Sequence, residues 1–171
     1  MIAYRDAAPA DWARLDATAQ ASWIETFSHS CSAEDLALYL GTAFGPTGQL
    51  RRDLDDPAIR FRLAVDDEAV AGYAKLAPAS LVEVDTGAND CQLSQLYVLR
   101  AWQGSGVAAA LMDWAITAAR ANGAAALFLT VWEENDRALR FYRRYGFVHV
   151  GDHDFPVGNQ IDCDLIMRLT L

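Results

Sequence analysis

The chain has 171 residues, a length that suits one domain, and we expect a single domain over residues 1–171. Its formal net charge of −9 argues against a general nucleic-acid-binding protein, because such a surface needs positive charge to displace counterions. Early charged residues break any signal-peptide core, and no apolar run reaches the ~18 residues that span a bilayer. We therefore expect a cytoplasmic protein with no nucleic-acid or membrane partner.

The cysteines and histidines point away from disulfides and metal. Cys31, Cys91 and Cys163 are odd in number and widely spaced, which predicts buried free thiols. The three histidines form no zinc-binding pattern, so we expect no metal. Thirteen of the fourteen basic residues are Arg, a bias that with abundant Ala is typical of a GC-rich bacterial genome.

The first third of the chain predicts one strand followed by helices. Residues 2–5 are typical of a short strand. Pro9 and Asp11 then open a helix whose apolar residues have mostly helical spacing. Ser32, followed by acidic residues, indicates the start of a second helix. A short polar helix is expected over residues 50–54.

The remaining chain alternates strands and helices. The predicted strands are 61–65, 70–76, 92–99, 125–132, 146–150 and 161–169. The predicted helices are 106–122 and 135–145. The almost wholly apolar run 125–132 is typical of a buried parallel strand. This order predicts an α/β (α+β) domain with a mixed sheet.

The most distinctive local feature is a glycine-bearing turn between a strand and a helix. A strand ending in Leu96, Tyr97 and Val98 leads into a turn with Gly104 and Gly106. Unpaired N–H groups at a helix N-terminus form an anion site, and glycine permits close approach of a phosphate. The turn matches neither a P-loop nor a dinucleotide-binding fingerprint. Taken alone, it is equally typical of a plain strand-to-helix turn.

Two motifs resemble the GNAT N-acetyltransferase superfamily. The pattern QxxGxA beginning at Gln103 is similar to the pyrophosphate loop of that family, and NxxAxxFYxxYGF beginning at Asn135 is similar to its later motif. The resemblance covers nearly the whole chain. It implies a sheet of six to seven strands with splayed central parallel strands, flanked by about four helices. Segments that further resemble PaiA-type acetyltransferases, which act on polyamines, are 72–76, 96–98, 131–135 and 153–158.

The resemblance implies acetyl-CoA as co-substrate. Backbone groups of Leu96, Tyr97 and Val98 would pair with the pantetheine arm, and Asn135 would hydrogen-bond a pantetheine amide. From its residue type, Asn135 is also a good helix N-cap, and the two roles are compatible. The loop residues assigned to the pyrophosphate, chiefly through N–H groups, are Gln103, Gly104, Ser105, Gly106, Val107, Ala108 and Ala109.

For catalysis, the resemblance points to Tyr142 as the acid that protonates the leaving thiolate; otherwise Tyr142 is an aromatic core residue. Many relatives carry a Glu on the strand before the Leu-Tyr-Val segment, but residues 91–95 of this chain hold no carboxylate. The base stays open between a water relay and several side chains. These side chains are Glu83, Asp85, His153 and Asp154.

The expected acceptor is the primary amine of a small molecule, a polyamine being one case. Trp23, Glu25 and Phe27 on the first helix, with Asp154, are the residues assigned to it. Residues 98–147 hold six Arg and four acidic residues, a net charge of +2, which leaves −11 for the rest. That division suits an anionic cofactor and a cationic acceptor.

Two alternatives stay open. One is an enzyme that acetylates the N-terminal amine of a protein or peptide. The other is a catalytically silent protein that binds CoA and serves as a sensor or partner. Because relatives are often dimers, a homodimer is an expected assembly.

Overall fold

A computed structural model describes all residues from Met1 to Leu171, and it contains a seven-stranded mixed sheet. The strand order is β1-β2-β3-β4-β5-β7-β6, with β4 and β5 parallel and all other neighbours antiparallel. This confirms the predicted mixed sheet. The strands are β1 (Ile2–Asp6), β2 (Arg60–Asp66), β3 (Ala69–Pro78), β4 (Cys91–Val98), β5 (Ala126–Trp132), β6 (Val148–Val157) and β7 (Gln160–Thr170).

Five helices cover the sheet, one more than the resemblance implied. Ser32 caps the second helix, since its hydroxyl accepts a hydrogen bond from the Asp35 N–H. No helix is long and apolar enough to cross a membrane. The helices are α1 (Trp12–Phe27), α2 (Ala33–Ala43), α3 (Gln49–Asp55), α4 (Val107–Ala121) and α5 (Asp136–Arg144).

The two faces of the sheet carry separate cores. On one face, Leu111 and Met112 of α4 are fully buried in a cluster that includes Met167 of β7. On the other face, Leu15 of α1 packs in a second cluster with Leu63 of β2. The sheet therefore separates two helical layers, with α4 and α5 on one face and α1 to α3 on the other. A ligand that passes between strands can touch both layers.

Two expectations from the sequence are wrong. The strand predicted at 146–150 is β6, which continues to Val157 and forms a long hairpin with β7. Polar residues and a bulge near Gly151 interrupt its apolar signal, because β6 is an edge strand with one exposed face. Only Cys91 is a buried thiol, whereas Cys31 and Cys163 are partly exposed.

The central parallel strands separate after a short contact. β4 and β5 pair only at Cys91 with Leu127 and at Gln92 with Phe128. Beyond these pairs, the inner edge of β4 has no strand partner. The buried Asp90 carboxylate holds the closed end, accepting hydrogen bonds from the Gly87, Ala125 and Ala126 N–H groups at 2.8–3.0 Å. The strands therefore form a wedge that opens toward their carboxyl ends.

Candidate active site

Two cavities meet at the open end of the wedge. The first, called here the α1-side cavity, encloses about 910 Å³, partly open to solvent, against α1 and β7. The second, the α4-side cavity, encloses about 1030 Å³, also partly open, between the glycine turn, α4 and α5. Five residues line both cavities, so the cavities touch through the gap between β4 and β5. They are Leu96, Val98, Arg137, Ala138 and Tyr142.

The glycine turn presents unpaired N–H groups to the α4-side cavity. Gly104 and Gly106 have φ angles of 81° and 89°, a left-handed conformation that favours glycine. The first intrahelical bond of α4 runs from the Ala110 N–H to the Gly106 carbonyl. The N–H groups ahead of it that have no hydrogen-bond acceptor are those of Gly104, Gly106, Val107, Ala108 and Ala109.

Ser105 differs from its predicted role. Its N–H donates to the Trp102 carbonyl at 3.3 Å, and its hydroxyl donates to the same carbonyl at 2.5 Å. Both donors are therefore used to close the turn. Ser105 stabilises the shape of the loop, and its neighbours carry the open N–H groups.

Gln103 joins the turn to the strand before it and to α5. Its amide nitrogen donates to the Val98 carbonyl at 3.0 Å, while its amide oxygen accepts a hydrogen bond from the Arg137 guanidinium. Three arginines, Arg137, Arg140 and Arg144, line the α4-side cavity, and no acidic residue does. Sequence analysis did not assign Arg137 and Arg140 to the site. The available signal was the spacing of three residues from Arg137 to Arg140 and of four from Arg140 to Arg144, which places all three on one helix face.

Tyr142 lies where the cavities meet. The residue is 9% exposed, and its ring packs against Phe141 and Phe147. Its hydroxyl makes no hydrogen bond within the chain, and the residue lines both cavities. Burial raises the pKa of the Tyr142 phenol above its ordinary value, although Arg137 opposes the rise. The phenol therefore stays protonated near neutral pH and can donate a proton.

Asn135 combines a cap with a place in the cavity. Its side-chain oxygen accepts a hydrogen bond from the Ala138 N–H at 3.2 Å and so caps α5. The residue also lines the α1-side cavity, beside the end of β5. Because the cap uses only the amide oxygen, the amide nitrogen is free to meet a ligand.

Of the four residues assigned to the acceptor, two line the α1-side cavity. Trp23 stacks on Tyr39 with ring centroids 4.3 Å apart, and Phe27 meets Trp132 edge-on at 6.1 Å. Glu25 points elsewhere, since its carboxylate accepts a hydrogen bond from the Arg100 N–H at 2.9 Å.

Asp154 also lies outside this cavity. It is exposed on β6, while its strand neighbours Phe155 and Val157 line the cavity. Strand side chains alternate between faces, and only alternate β6 residues turn toward α1 and α2. Glu25 and Asp154 are therefore not brought together with Trp23 and Phe27.

The acids of the α1-side cavity are two residues that sequence analysis missed. Asp162 and Asp164, on β7, both line it. Asp164 is 7% exposed, and burial raises its carboxyl pKa to about 6; Asp162 adds to the rise, while Thr130 and His153 oppose it. The available signal was the alternation of Asp at 162 and 164 in a largely apolar strand, which places both on one face.

The base candidates left open by the sequence lie outside both cavities. The His153 ring nitrogen Nδ1 lies 2.7 Å from the Glu83 carboxylate, and that pair is partly exposed. Glu83 and Asp85 border a shallow depression elsewhere on the surface. On β4 itself, Gln95 faces the α1-side cavity, and its amide oxygen accepts a hydrogen bond from the Tyr73 hydroxyl at 2.9 Å.

Comparisons with known proteins identify the family of the chain. The sequence profile of the acetyltransferase (GNAT) family matches residues 12–147. An uncharacterized N-acetyltransferase from the pepI 3′ region of Lactobacillus delbrueckii subsp. lactis is 26% identical over 155 residues, covering 91% of this chain and 89% of that protein. An uncharacterized N-acetyltransferase of Mycobacterium bovis is 35% identical over 114 residues, covering 67% of this chain and 69% of that protein.

A solved structure with the same fold is the PaiA N-acetyltransferase of Thermoplasma acidophilum in complex with coenzyme A. Its TM-score is 0.81 at 20% identity, covering 100% of this chain and 99% of that one. The family match identifies the class of protein as an acyltransferase. The chain belongs to the acetyltransferase (GNAT) family.

Proposed function

We propose that the chain transfers the acetyl group of acetyl-CoA to a primary amine of a small cationic molecule, with polyamines as the favoured class. The observation that carries this proposal is the meeting of two oppositely charged cavities at Tyr142. One cavity holds open N–H groups and three arginines, and the other holds two aspartates among aromatic rings. We also propose that residues 1–171 form one catalytic domain.

The α4-side cavity fits the anionic half of acetyl-CoA. The open N–H groups of Gly104 and of residues 106–109, together with the positive end of α4, suit a pyrophosphate. Arg137, Arg140 and Arg144 add positive charge around it. The unpaired inner edge of β4 over residues 96–98 suits an extended amide-bearing arm that pairs like an added strand.

When acetyl-CoA is bound, it supplies a thioester. An amine forms a C–N bond to the acyl carbon as the C–S bond breaks. An acceptor that enters as an ammonium ion loses two protons in total, one to sulfur and one to solvent. Tyr142 holds its phenol proton at the junction of the cavities, and we assign it the donation to the leaving sulfur. Asn135 orients the arm through its free amide nitrogen. Arg137, fixed by Gln103, keeps the cofactor side positive.

The α1-side cavity fits a small cation better than a neutral acceptor. Asp162 and Asp164 supply negative charge, while Trp23, Phe27 and Trp132 offer ring faces and edges to an alkyl chain or an ammonium group. Arg137 is the one basic residue in its lining, at the border with the other cavity. An acceptor with an amine on a short alkyl chain therefore suits this cavity.

A thiol-release assay with acetyl-CoA tests the proposal across polyamines, amino acids, aminoglycosides and peptides with free N-termini. We expect the highest kcat/KM among the polyamines. Fastest turnover of a peptide would instead support acetylation of N-terminal amines. Binding of acetyl-CoA without turnover of any amine would support a silent CoA-binding protein and contradict the proposed enzyme function.

A further inference from the structure

We propose that Asp164 is the group that binds the ammonium of the acceptor and takes its proton. This inference rests on the proposed function and adds a catalytic residue to it. The strand β4 brings Gln95, and no carboxylate, to the α1-side cavity, so β4 supplies no base there. The Gln95 amide, bonded to the Tyr73 hydroxyl, is not basic enough to remove a proton from an ammonium ion.

The position of Asp164 in the sheet aims it at the cavity. In register, Asp164 lies opposite Trp132 of β5 and opposite His153 of β6. Trp132 is at the carboxyl end of β5, where the wedge is open. Asp164 therefore lies one strand away from the gap through which the two cavities meet.

Asp164 is a buried carboxylate without a cation. It is 7% exposed and lines the α1-side cavity, and it forms no ion pair. A buried carboxylate that lacks a partner is costly unless it is neutralised or receives a cation. A substrate ammonium that enters the cavity supplies that cation.

None of the side chains around Asp164 is a free cation that could pair with its carboxylate, so the substrate ammonium can take that position. α1 faces the cavity with uncharged side chains, and Thr130 of β5 adds a hydroxyl. His153, the one neighbour that can become cationic, is held by Glu83 at 2.7 Å. The titratable groups that face Asp164 are Asp162 on β7, His153 on β6, Tyr97 on β4 and Tyr39 on α2.

Tyr97, Asp164 and Tyr142 all line the α1-side cavity. Tyr97 is half-buried, and the pKa of its phenol is raised first by burial and then by the charges that Tyr39, Tyr142 and Asp164 would carry. Tyr97 is thus within electrostatic range of both the proposed proton acceptor and the proposed proton donor. Asp164 and Tyr142 both line the α1-side cavity, so an amine bound by Asp164 occupies the cavity that Tyr142 borders.

In the proposed reaction, Asp164 accepts one proton from the ammonium and Tyr142 donates one proton to the sulfur. An N–H bond of the ammonium breaks and an O–H bond forms on Asp164, which frees the nitrogen lone pair to attack the acyl carbon. Tyr142 gives its proton to the leaving sulfur as the C–S bond breaks, and the second nitrogen proton passes to the Tyr142 phenolate. Asp164 then releases its proton to solvent through the open cavity mouth, and the charges on both side chains are restored.

The test uses spermidine as the probe and the variant Asp164→Asn, with Asp164→Ser as a second variant should the first fail to fold. The control is Asp152→Asn, which removes the same charge from β6 where Asp152 pairs with His149 on the opposite, exposed face. Calorimetry measures spermidine binding to the CoA complex. Thiol release measures kcat/KM from pH 5 to pH 9, and calorimetry also gives the acetyl-CoA Kd.

We expect Asp164→Asn to lower kcat/KM for spermidine by roughly a hundredfold at pH 7, the range of a lost general base, and to weaken spermidine binding. The wild-type rate should fall as the pH drops below about 6, where Asp164 becomes protonated, and the variant should lose that dependence. Acetyl-CoA affinity in the variant and all constants of Asp152→Asn should stay at wild-type values.

Spermidine binding and turnover that survive in Asp164→Asn would overturn the proposal, as would a wild-type CoA complex that does not bind spermidine. Binding that depends on Asp164, without acetyl transfer to any amine, would support the ammonium site and contradict the proposed function. The two proposals therefore fail in different ways.

Discussion

At the residue scale, the proposed acid and the proposed base are both buried side chains, and burial raises the pKa of each. Tyr142 is kept protonated because burial disfavours the phenolate, so it can act as an acid. The Asp164 pKa is raised to about 6, which leaves the carboxylate ionised at neutral pH but more basic than an exposed Asp. The proposed acid and the proposed base thus line the same cavity.

The raised pKa of Asp164 also predicts a cost in stability. The unfolded group titrates near 3.8 and the folded group near 6, so the folded state holds the proton more tightly. The free energy of unfolding therefore falls as the pH rises from about 4 to about 6, by up to about 3 kcal/mol for such a shift. Asp164→Asn should be more stable than the wild type at pH 8, and equal to it near pH 4.

Urea unfolding at both pH values measures this difference. Asp152→Asn is the control, and its exposed position should change stability by no more than about 0.5 kcal/mol. A loss of stability in Asp164→Asn at pH 8 would mean that the carboxylate is paired within the fold, which would contradict its assignment as an open cation site.

At the element scale, the parts of the site formed by local sequence were predictable, whereas the parts formed by distant strands were not. The glycine turn and the α5 cap follow from Gly106 and Asn135 themselves, because a left-handed residue and an N-cap are local features. Asp164 reaches the cavity only through the pairing of β7 with β5. The extent of β6 likewise depends on its hairpin partner, and no short stretch of sequence encodes that pairing.

A substitution in the turn before α4 tests whether this turn binds acetyl-CoA. Gly106→Ala places a side chain on a residue with φ of 89°, and no neighbouring atom lies close enough to obstruct it. The strain therefore falls on the backbone whose N–H groups are open, and we expect acetyl-CoA to bind about tenfold more weakly, a loss of about 1.4 kcal/mol. Gly41→Ala, in α2 with equal space and no left-handed φ, is the matched control. Equal affinities by calorimetry would remove the turn from the cofactor site.

At the scale of the whole molecule, the division of charge seen in the sequence reappears in the cavities. The segment 98–147, with a net charge of +2, supplies the arginines of the α4-side cavity. The remainder, with a net charge of −11, supplies Asp162 and Asp164. The negative net charge of the whole chain therefore coexists with a basic cavity that suits an anion. The acidic cavity on the other side of the sheet suits a cationic acceptor.

The most direct measurement for this account is turnover of spermidine by Tyr142→Phe, because Tyr142 alone among the proposed acid–base groups borders both cavities. Tyr4→Phe, which removes a hydroxyl on the distant edge strand β1, is the control. We predict that kcat of Tyr142→Phe falls by more than about tenfold while the Kd values for acetyl-CoA and spermidine stay at wild-type levels. A wild-type kcat in Tyr142→Phe would contradict the claim that the two cavities meet at a catalytic acid.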